Sequence, residues 1–382
     1  SPEARWLKIQ LDTYLRQRDY WAELFASQHV KVYVSWFKYT QAHCAIADAL
    51  QSLGGVTAIY HRSYDANPSA DTAAAVDIVF GFSQAWAEIE RQSHSLIPYY
   101  VTTGYLGGHR FSRVRKQAQA IRDVLQQRGA RRIMAYCDEN SSDDQRWTLG
   151  HVITREHYAF LLEKVLREPW LGLVIKPKVP MTLRRRLGPV AALLKRAEAT
   201  GRCFVFEDGR FQGSSPPAAA ALASDLMIHG HFYAATAGVE SALAGVPTLL
   251  MDHEGWPDSP FYRLGLGRVV FQDWPTLWEV CVDHWTRPGG VPGFGDWTAM
   301  LEELDPFRDG RAAERMGTYL QWLLEGFEAG LTRETILAAA AERYAARWGK
   351  DKITQMHGRH RATRDATSDA TSAMTAENVA HS

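Results

Sequence analysis

The sequence predicts an α/β protein built from two Rossmann-like domains that face a cleft, followed by C-terminal helices. Three observations predict it. Short β-branched and aromatic runs alternate with helical segments along most of the chain, and strand alternating with helix is the pattern of parallel sheets. The alternation starts afresh at residues 129–137, GARRIMAYC. Between Asp225 and Asp252, DLMIHGHFYAATAGVESALAGVPTLLMD reads as strand, loop, helix and strand in one pass. That is a βαβ unit, whose functional loop lies on the carboxyl edge of a parallel sheet.

In chain order, residues 4–28 place Leu7, Leu11, Tyr14, Trp21 and Phe25 at near-helical spacing among polar residues. They predict an amphipathic helix whose stripe is core, with docking to a partner helix as the alternative. VKVYVSWF, VTAIYHRS, VDIVFGFS and LIPYYVTTGY read as four strands, with helices near 41–53, 83–93 and 111–128, so residues 1–129 form a first domain. Residues 130–285 form the second. There RRIMAYC is a strand, 153–167 a helix, LGLVIKPK a strand, 181–198 a basic helix and RCFVFED a strand. The central unit follows, its helix stopped by Gly245 and Pro247, and VVFQDWPTLWEV supplies one more strand and helix. Residues 286–350 open with a Gly/Pro-rich loop to 308 and continue as two helices over 309–348, which pack back on the first domain. Residues 357–382 are small, polar and repetitive, the composition of a disordered tail.

At 382 residues and 46% hydrophobic, the chain is long enough for two well-filled cores. Lys+Arg and Asp+Glu both number 43, so no global field draws nucleic acid or an anionic membrane, and any phosphate binding must be local. Cys44, Cys137, Cys203 and Cys281 are scattered without zinc spacing, so no metal site is expected and the thiols read as reduced. No apolar run reaches transmembrane length and no signal peptide is visible. The expected location is cytoplasmic, either free or at the inner face of the membrane. The opening SPEARW, without Met, reads as one module cut from a longer protein.

Candidate chemistry gathers at the predicted carboxyl ends of strands, where open α/β sheets take ligands. Asp138 and Glu139, with Asp143 and Asp144 close behind, end the first strand of the second domain. Such a pair can act as base or nucleophile, or merely cap the next helix. Lys176 and Lys178, in VIKPKVP, would neutralise a phosphate, whereas Arg184, Arg185 and Arg186 read mainly as a solvated helix face. Glu207, Asp208 and Gly209 end another strand, with a plain turn as the alternative. His229 and His231 flank Gly230. Thr236 and Ala237 begin the central helix, where free N–H groups suit phosphate, and Glu240 follows in its first turn. A dipole-stabilised carboxylate in an ordinary building block is the alternative there. In the first domain the strand-end loops hold Lys38, Tyr39 and Thr40, then His61, Arg62 and Tyr64, then Tyr105 and His109. These suit a sugar-binding wall, or are ordinary surface loops.

The pattern small-x-x-x-Glu-x-x-x-x-Gly-x-Pro, running from Thr236 through Glu240 to Pro247, resembles the donor-binding segment of GT-B glycosyltransferases. VIKPKVP resembles the Lys-Pro-x-x-Pro portion of a motif in bacterial sialyltransferases and capsule Kdo transferases, with Val179 where histidine is expected. Asp252, His253 and Glu254, leading into GWPDSPFYRLGLGRVVF, resemble bacterial surface-polysaccharide glycosyltransferases, including Kdo-transferase-like ones. The resemblance covers the layout of residues 30–350. It implies a Leloir-type, metal-independent enzyme of capsule or lipopolysaccharide assembly, and the chain has no DxD triplet. It assigns Asp138 and Glu139 to catalysis, and Lys176, Lys178, Glu207, His229, Thr236, Ala237 and Glu240 to the donor. Lys38, Tyr39, Tyr105 and His109 fall to the acceptor. No cofactor is implied beyond the nucleotide-sugar substrate, with a CMP link favoured. The partners are a glycan or glycolipid acceptor and other modules of a larger synthesis protein. A nucleotide-sugar epimerase of the same fold, or a non-catalytic glycan- or partner-binding module, are the alternatives.

Overall fold

The computed structural model describes residues 1–64, 68–143, 150–207, 215–232, 235–253 and 255–356. The expected disordered tail, Asp144, Asp208, Gly209 and Glu254 lie outside the described residues.

The chain begins with helix α1 (Pro2–Ser27) and then alternates through β1 (Val32–Ser35), α2 (Ala42–Ser52), β2 (Val56–Tyr60), β3 (Ile78–Gly81), α3 (Ala85–Gln92), β4 (Tyr99–Thr102) and α4 (Phe111–Gln127). A second alternation runs β5 (Arg132–Cys137), α5 (His151–Arg167), β6 (Leu171–Lys176), α6 (Leu183–Leu187), α7 (Ala191–Ala199), β7 (Cys203–Val205) and α8 (Pro217–Leu222). It continues through β8 (Leu226–His229), α9 (Thr236–Leu243), β9 (Thr248–Met251), β10 (Val270–Phe271) and α10 (Trp274–Thr286). The last elements are α11 (Thr298–Leu304), α12 (Ala312–Glu328), α13 (Arg333–Trp348) and β11 (Ile353–Gln355).

Two sheets result. The first has the order β1-β2-β3-β4-β11, parallel except that β11 runs antiparallel along β4. The second, β10-β9-β8-β5-β6-β7, is parallel throughout. From β5 the chain steps outward to β6 and β7, and from β8 it steps the other way to β9 and β10. The strand order therefore reverses between β5 and β8, and a crevice opens beyond their carboxyl ends at such a switch point.

The second sheet buries both faces, as a parallel sheet must. Tyr158, Leu161, Leu194 and Leu277 cover one face against Leu173, Ile228 and Leu249. On the other, α4 brings Ala118, Ile121 and Leu125 against the alanines of α8 and against Ile133, Val174 and Met227. Helices α12 and α13 lie on the first sheet, where Tyr319, Leu323, Ile336 and Tyr344 meet Val56, Phe80 and Val101. A further cluster joins the halves: Tyr64, Phe82, Trp86 and Tyr105 pack with Phe232, Val239, Phe261 and Trp297.

Four local expectations change. The predicted helix over 181–198 is two helices, because Gly188 sits at φ +52° and Pro189 follows it. The stretch predicted as loop over 286–308 contains α11, whose Met300 and Leu304 are buried. Helix α8 and strand β11 had no counterpart in the sequence reading. In α1 the C-terminal half is packed, with Trp21 and Phe25 against α2 and the Tyr14 hydroxyl on Asp48, while Leu7 and Leu11 are 63% and 53% exposed.

Candidate active site

The switch point gathers the loops after β5, β6 and β8. Helix α9 starts directly after Ala235, whose φ of +44° is left-handed backbone that a small side chain tolerates. A Cβ on Gly238 would lie 2.7 Å from Leu250, so glycine there lets α9 press onto β9. This placement buries Glu240. Its Oε1 accepts the Ala218 amide at 2.9 Å from the first turn of α8, and its Oε2 accepts the hydroxyl of Tyr105 from the first domain. Burial raises the Glu240 pKa, opposed by those two hydrogen bonds and by the charges of Arg110 and Lys176. A second link between the halves runs beside it, the Tyr64 amide donating to Thr236 Oγ1 at 3.1 Å.

At the end of β5 the two adjacent carboxylates have different surroundings. Asp138 is 4% exposed and accepts from the Tyr158 hydroxyl at 2.9 Å, the Lys178 amide at 2.6 Å and Arg186 Nη2 at 3.0 Å. Arg186, read from sequence as part of a solvated face, is itself buried. Asp138 is thus an anchor for the β5 and β6 loops. Glu139 is partly open to solvent and ion-paired with the Lys178 ammonium group. Lys178 has its pKa lowered by partial burial and by the nearby Arg62 guanidinium, which reaches over from the first domain and lies 4.4 Å above the Trp36 ring. Lys176 is buried and donates to the Pro177 carbonyl at 2.8 Å.

Both histidines beside Gly230 are buried. His229 holds Nδ1 at 3.2 Å from the Cys137 carbonyl, and burial, then the neighbouring His231, pushes its pKa down to about 3. It is a neutral ring at ordinary pH. A Cβ on Gly230 would lie 2.2 Å from Tyr136 Oη, so this position admits no side chain without displacing a buried tyrosine. That tyrosine hydroxyl is hydrogen-bonded at 2.9 Å to His157 Nδ1, and His157 Nε2 at 3.0 Å to His253 Nδ1.

The remaining predicted residues are dispersed. Lys38 turns inward to a 2.5 Å ion pair with Glu90, which His61 and Ser95 also contact at 3.0 and 2.5 Å. Tyr39 is exposed and edge-on to Phe37. His109 Nδ1 lies 2.8 Å from the Leu106 carbonyl. Of the four residues assigned to the acceptor, Tyr105 touches Glu240, one of the two carboxylates assigned to the donor. Glu207 is exposed and paired with Arg184 at 2.6 Å, away from the switch point. Sequence reasoning missed Trp36, Tyr158 and Ala218 and misread Arg186, and for none was there a local signal, since each acts through a partner distant in sequence. Among the described residues no group of three or more His, Cys, Asp or Glu could hold a metal ion, and no helix is long and apolar enough to cross a membrane.

Two Rossmann-like domains, a ligand edge at the switch point of the second, and terminal helices returning to the first define the GT-B fold. The chain overlaps a Listeria monocytogenes protein named as a UDP-N-acetylglucosamine 2-epimerase, with TM-score 0.53 and 14% identity over 84% of this chain and 80% of that one. It also overlaps S. aureus MnaA solved with UDP, with TM-score 0.52 and 10% identity over 82% and 81%. A looser overlap, TM-score 0.47 and 10% identity over 82% and 73%, is with the wall teichoic acid polymerase TagF. No protein-family model matches the chain, and no curated protein matches it in sequence.

Proposed function

We propose that the protein is a glycosyltransferase that moves a sugar from a nucleotide-activated donor to a bacterial surface glycan or glycolipid. The observation that carries this reading is Glu240, a buried carboxylate at the switch point held by one amide and by one hydroxyl from the opposite domain. A donor ribose offers hydroxyls that can take the place of the Tyr105 hydroxyl. The amides at the start of α9, with Lys176 and Lys178, then face the phosphate. Neutral His229 lines the same edge.

Of the two carboxylates, Glu139 is the one with room to act, while Asp138 positions the loop. As a base, Glu139 takes the proton of the acceptor hydroxyl as that oxygen bonds to the anomeric carbon. The bond from that carbon to the phosphate oxygen breaks, and the nucleotide leaves with its charge opposite Lys178. As a nucleophile, Glu139 would itself bond to the anomeric carbon before the acceptor displaces it. We assign the donor to the CMP-linked, Kdo type on the sequence resemblance. The reading further places the enzyme in the cytoplasm or at the inner face of the membrane, with no cofactor beyond its donor.

A second reading, nucleotide-sugar epimerase, is favoured by the overlap with the Listeria protein and with UDP-bound MnaA. Thermal unfolding with CMP, UDP, GDP and ADP in turn tests the common ground, since a ligand at 100 times its Kd adds about 2.7 kcal/mol to the native state. That is a shift of roughly 5–10 °C for domains of this size. A shift with CMP supports the Kdo-type donor, one with UDP a hexose donor, and no shift with any nucleotide removes the reading in favour of a binding module. Product analysis then separates the enzymes, because an epimerase changes the donor sugar with no acceptor present.

A further inference from the structure

Beside the β5 loop, at the N-terminus of α5, lies a cavity of about 450 Å³ whose described lining residues are all of polar type. Arg155, Arg185, Arg186 and His151 line it, against one carboxylate, Asp143. Arg186 is held rigidly, with Nη2 on Asp138 at 3.0 Å, Nε on Thr182 at 3.1 Å and Nη1 on Ser141 Oγ at 3.3 Å. Ser141 Oγ is also hydrogen-bonded to His151 Nδ1, 2.8 Å away. Among the described residues Arg155 spends only Nε, on the Arg186 carbonyl at 2.9 Å. Neither Arg155 nor Arg185 forms an ion pair with a carboxylate among the described residues. The cavity also meets the N-terminus of α5, whose cap residue Gly150 provides no side chain.

Guanidinium groups, an imidazole and a helix N-terminus converging on one space lined by polar residues are the set of groups that binds a compact polyoxyanion. We propose that this cavity is a second anion site, which takes the phosphate group of a molecule other than the donor nucleotide. Asn140 and Ser141 in its wall continue the loop that carries Glu139, so a phosphate held there stands beside the reaction cleft. The proposal uses none of the donor residues, and it stands or falls separately from the transferase reading.

The test is binding of inorganic phosphate and of glycerol 3-phosphate to the whole protein, followed by thermal shift and by the His151 ring resonances in NMR. The expected result is a millimolar-range shift with either probe, kept in Glu240→Ala. In the Arg155→Ala/Arg185→Ala double variant it should weaken by about tenfold or more, the order of one lost charge-assisted contact. UDP and CMP responses of that double variant should match the wild type. Asp143→Asn should bind phosphate more tightly, and this opposite sign guards against a variant that has merely lost its fold. Binding of the ester as strongly as of free phosphate identifies a phosphorylated substrate as the occupant, and preference for free phosphate identifies the inorganic ion. Binding of neither probe, or binding unchanged in the double variant, or lost in Glu240→Ala, overturns the proposal.

Discussion

Asp138 and Glu139 are neighbours in sequence with opposite physical situations, and conservative changes at each should separate them. Asp138→Asn removes the negative charge that balances buried Arg186, and stranding a buried charge costs about 3–5 kcal/mol. Glu139→Gln only breaks an accessible pair with Lys178, a surface-type contact worth at most about 1 kcal/mol. Urea unfolding should therefore show a large loss for Asp138→Asn and almost none for Glu139→Gln. Turnover should fall about 100-fold or more in Glu139→Gln with nucleotide binding retained, the size of a lost general base. Full turnover in Glu139→Gln would return the catalytic assignment to another group.

At the scale of elements, Lys38, His61, Glu90 and Ser95 tie the end of β1, the end of β2 and α3 into one buried knot. Burial alone would raise the Glu90 pKa, but the His61 hydrogen bond and the Lys38 charge outweigh it and hold it at about 2. The folded value lies below the unfolded one, so this contribution is complete above the ordinary carboxylate range and is lost as pH falls from about 4.5 to 2. Its full size is on the order of 3 kcal/mol. Unfolding measured across that range should show the wild type losing stability faster than Glu90→Gln. Equal slopes would mean that the knot is not charged as described. The same knot explains why Lys38, which the sequence placed on an acceptor wall, is turned inward.

For the whole molecule, two neutral histidines set the acid limit. His157, beside His253, and His229, beside His231, both have pKa values pushed down to about 3, first by burial and then by the neighbouring ring. With folded values below the unfolded 6.5, their contribution is complete above pH 6.5 and is lost as pH falls toward 3. The slope is about 1.4 kcal/mol per pH unit for each, so the pair removes on the order of 5 kcal/mol between pH 6 and 4, comparable to the net stability of a typical domain. Acid unfolding should therefore begin near pH 5, before Glu90 titrates, and His157→Gln should flatten the dependence by about half. An unfolding free energy that is flat from pH 6.5 to 4 would contradict this. Both rings flank the switch point, so acid should open the site with the fold.

The sequence by itself determined the two alternations of strand and helix and the central βαβ unit. These depend on local periodicity, on β-branched runs and on stops such as Gly245 and Pro247, which a chain displays without its partners. The alanine-rich α8 carries almost no polar face from which to read a period, and β11 is three residues that become a strand only by pairing with β4. Only the tertiary structure decided which partners the candidate residues have. Arg186 reaches Asp138 across 48 positions, Glu90 reaches Lys38 across 52 and Tyr105 reaches Glu240 across 135. Such pairings fix burial, charge balance and protonation. They depend on which loops the sheet order brings to one edge, and no local pattern encodes that.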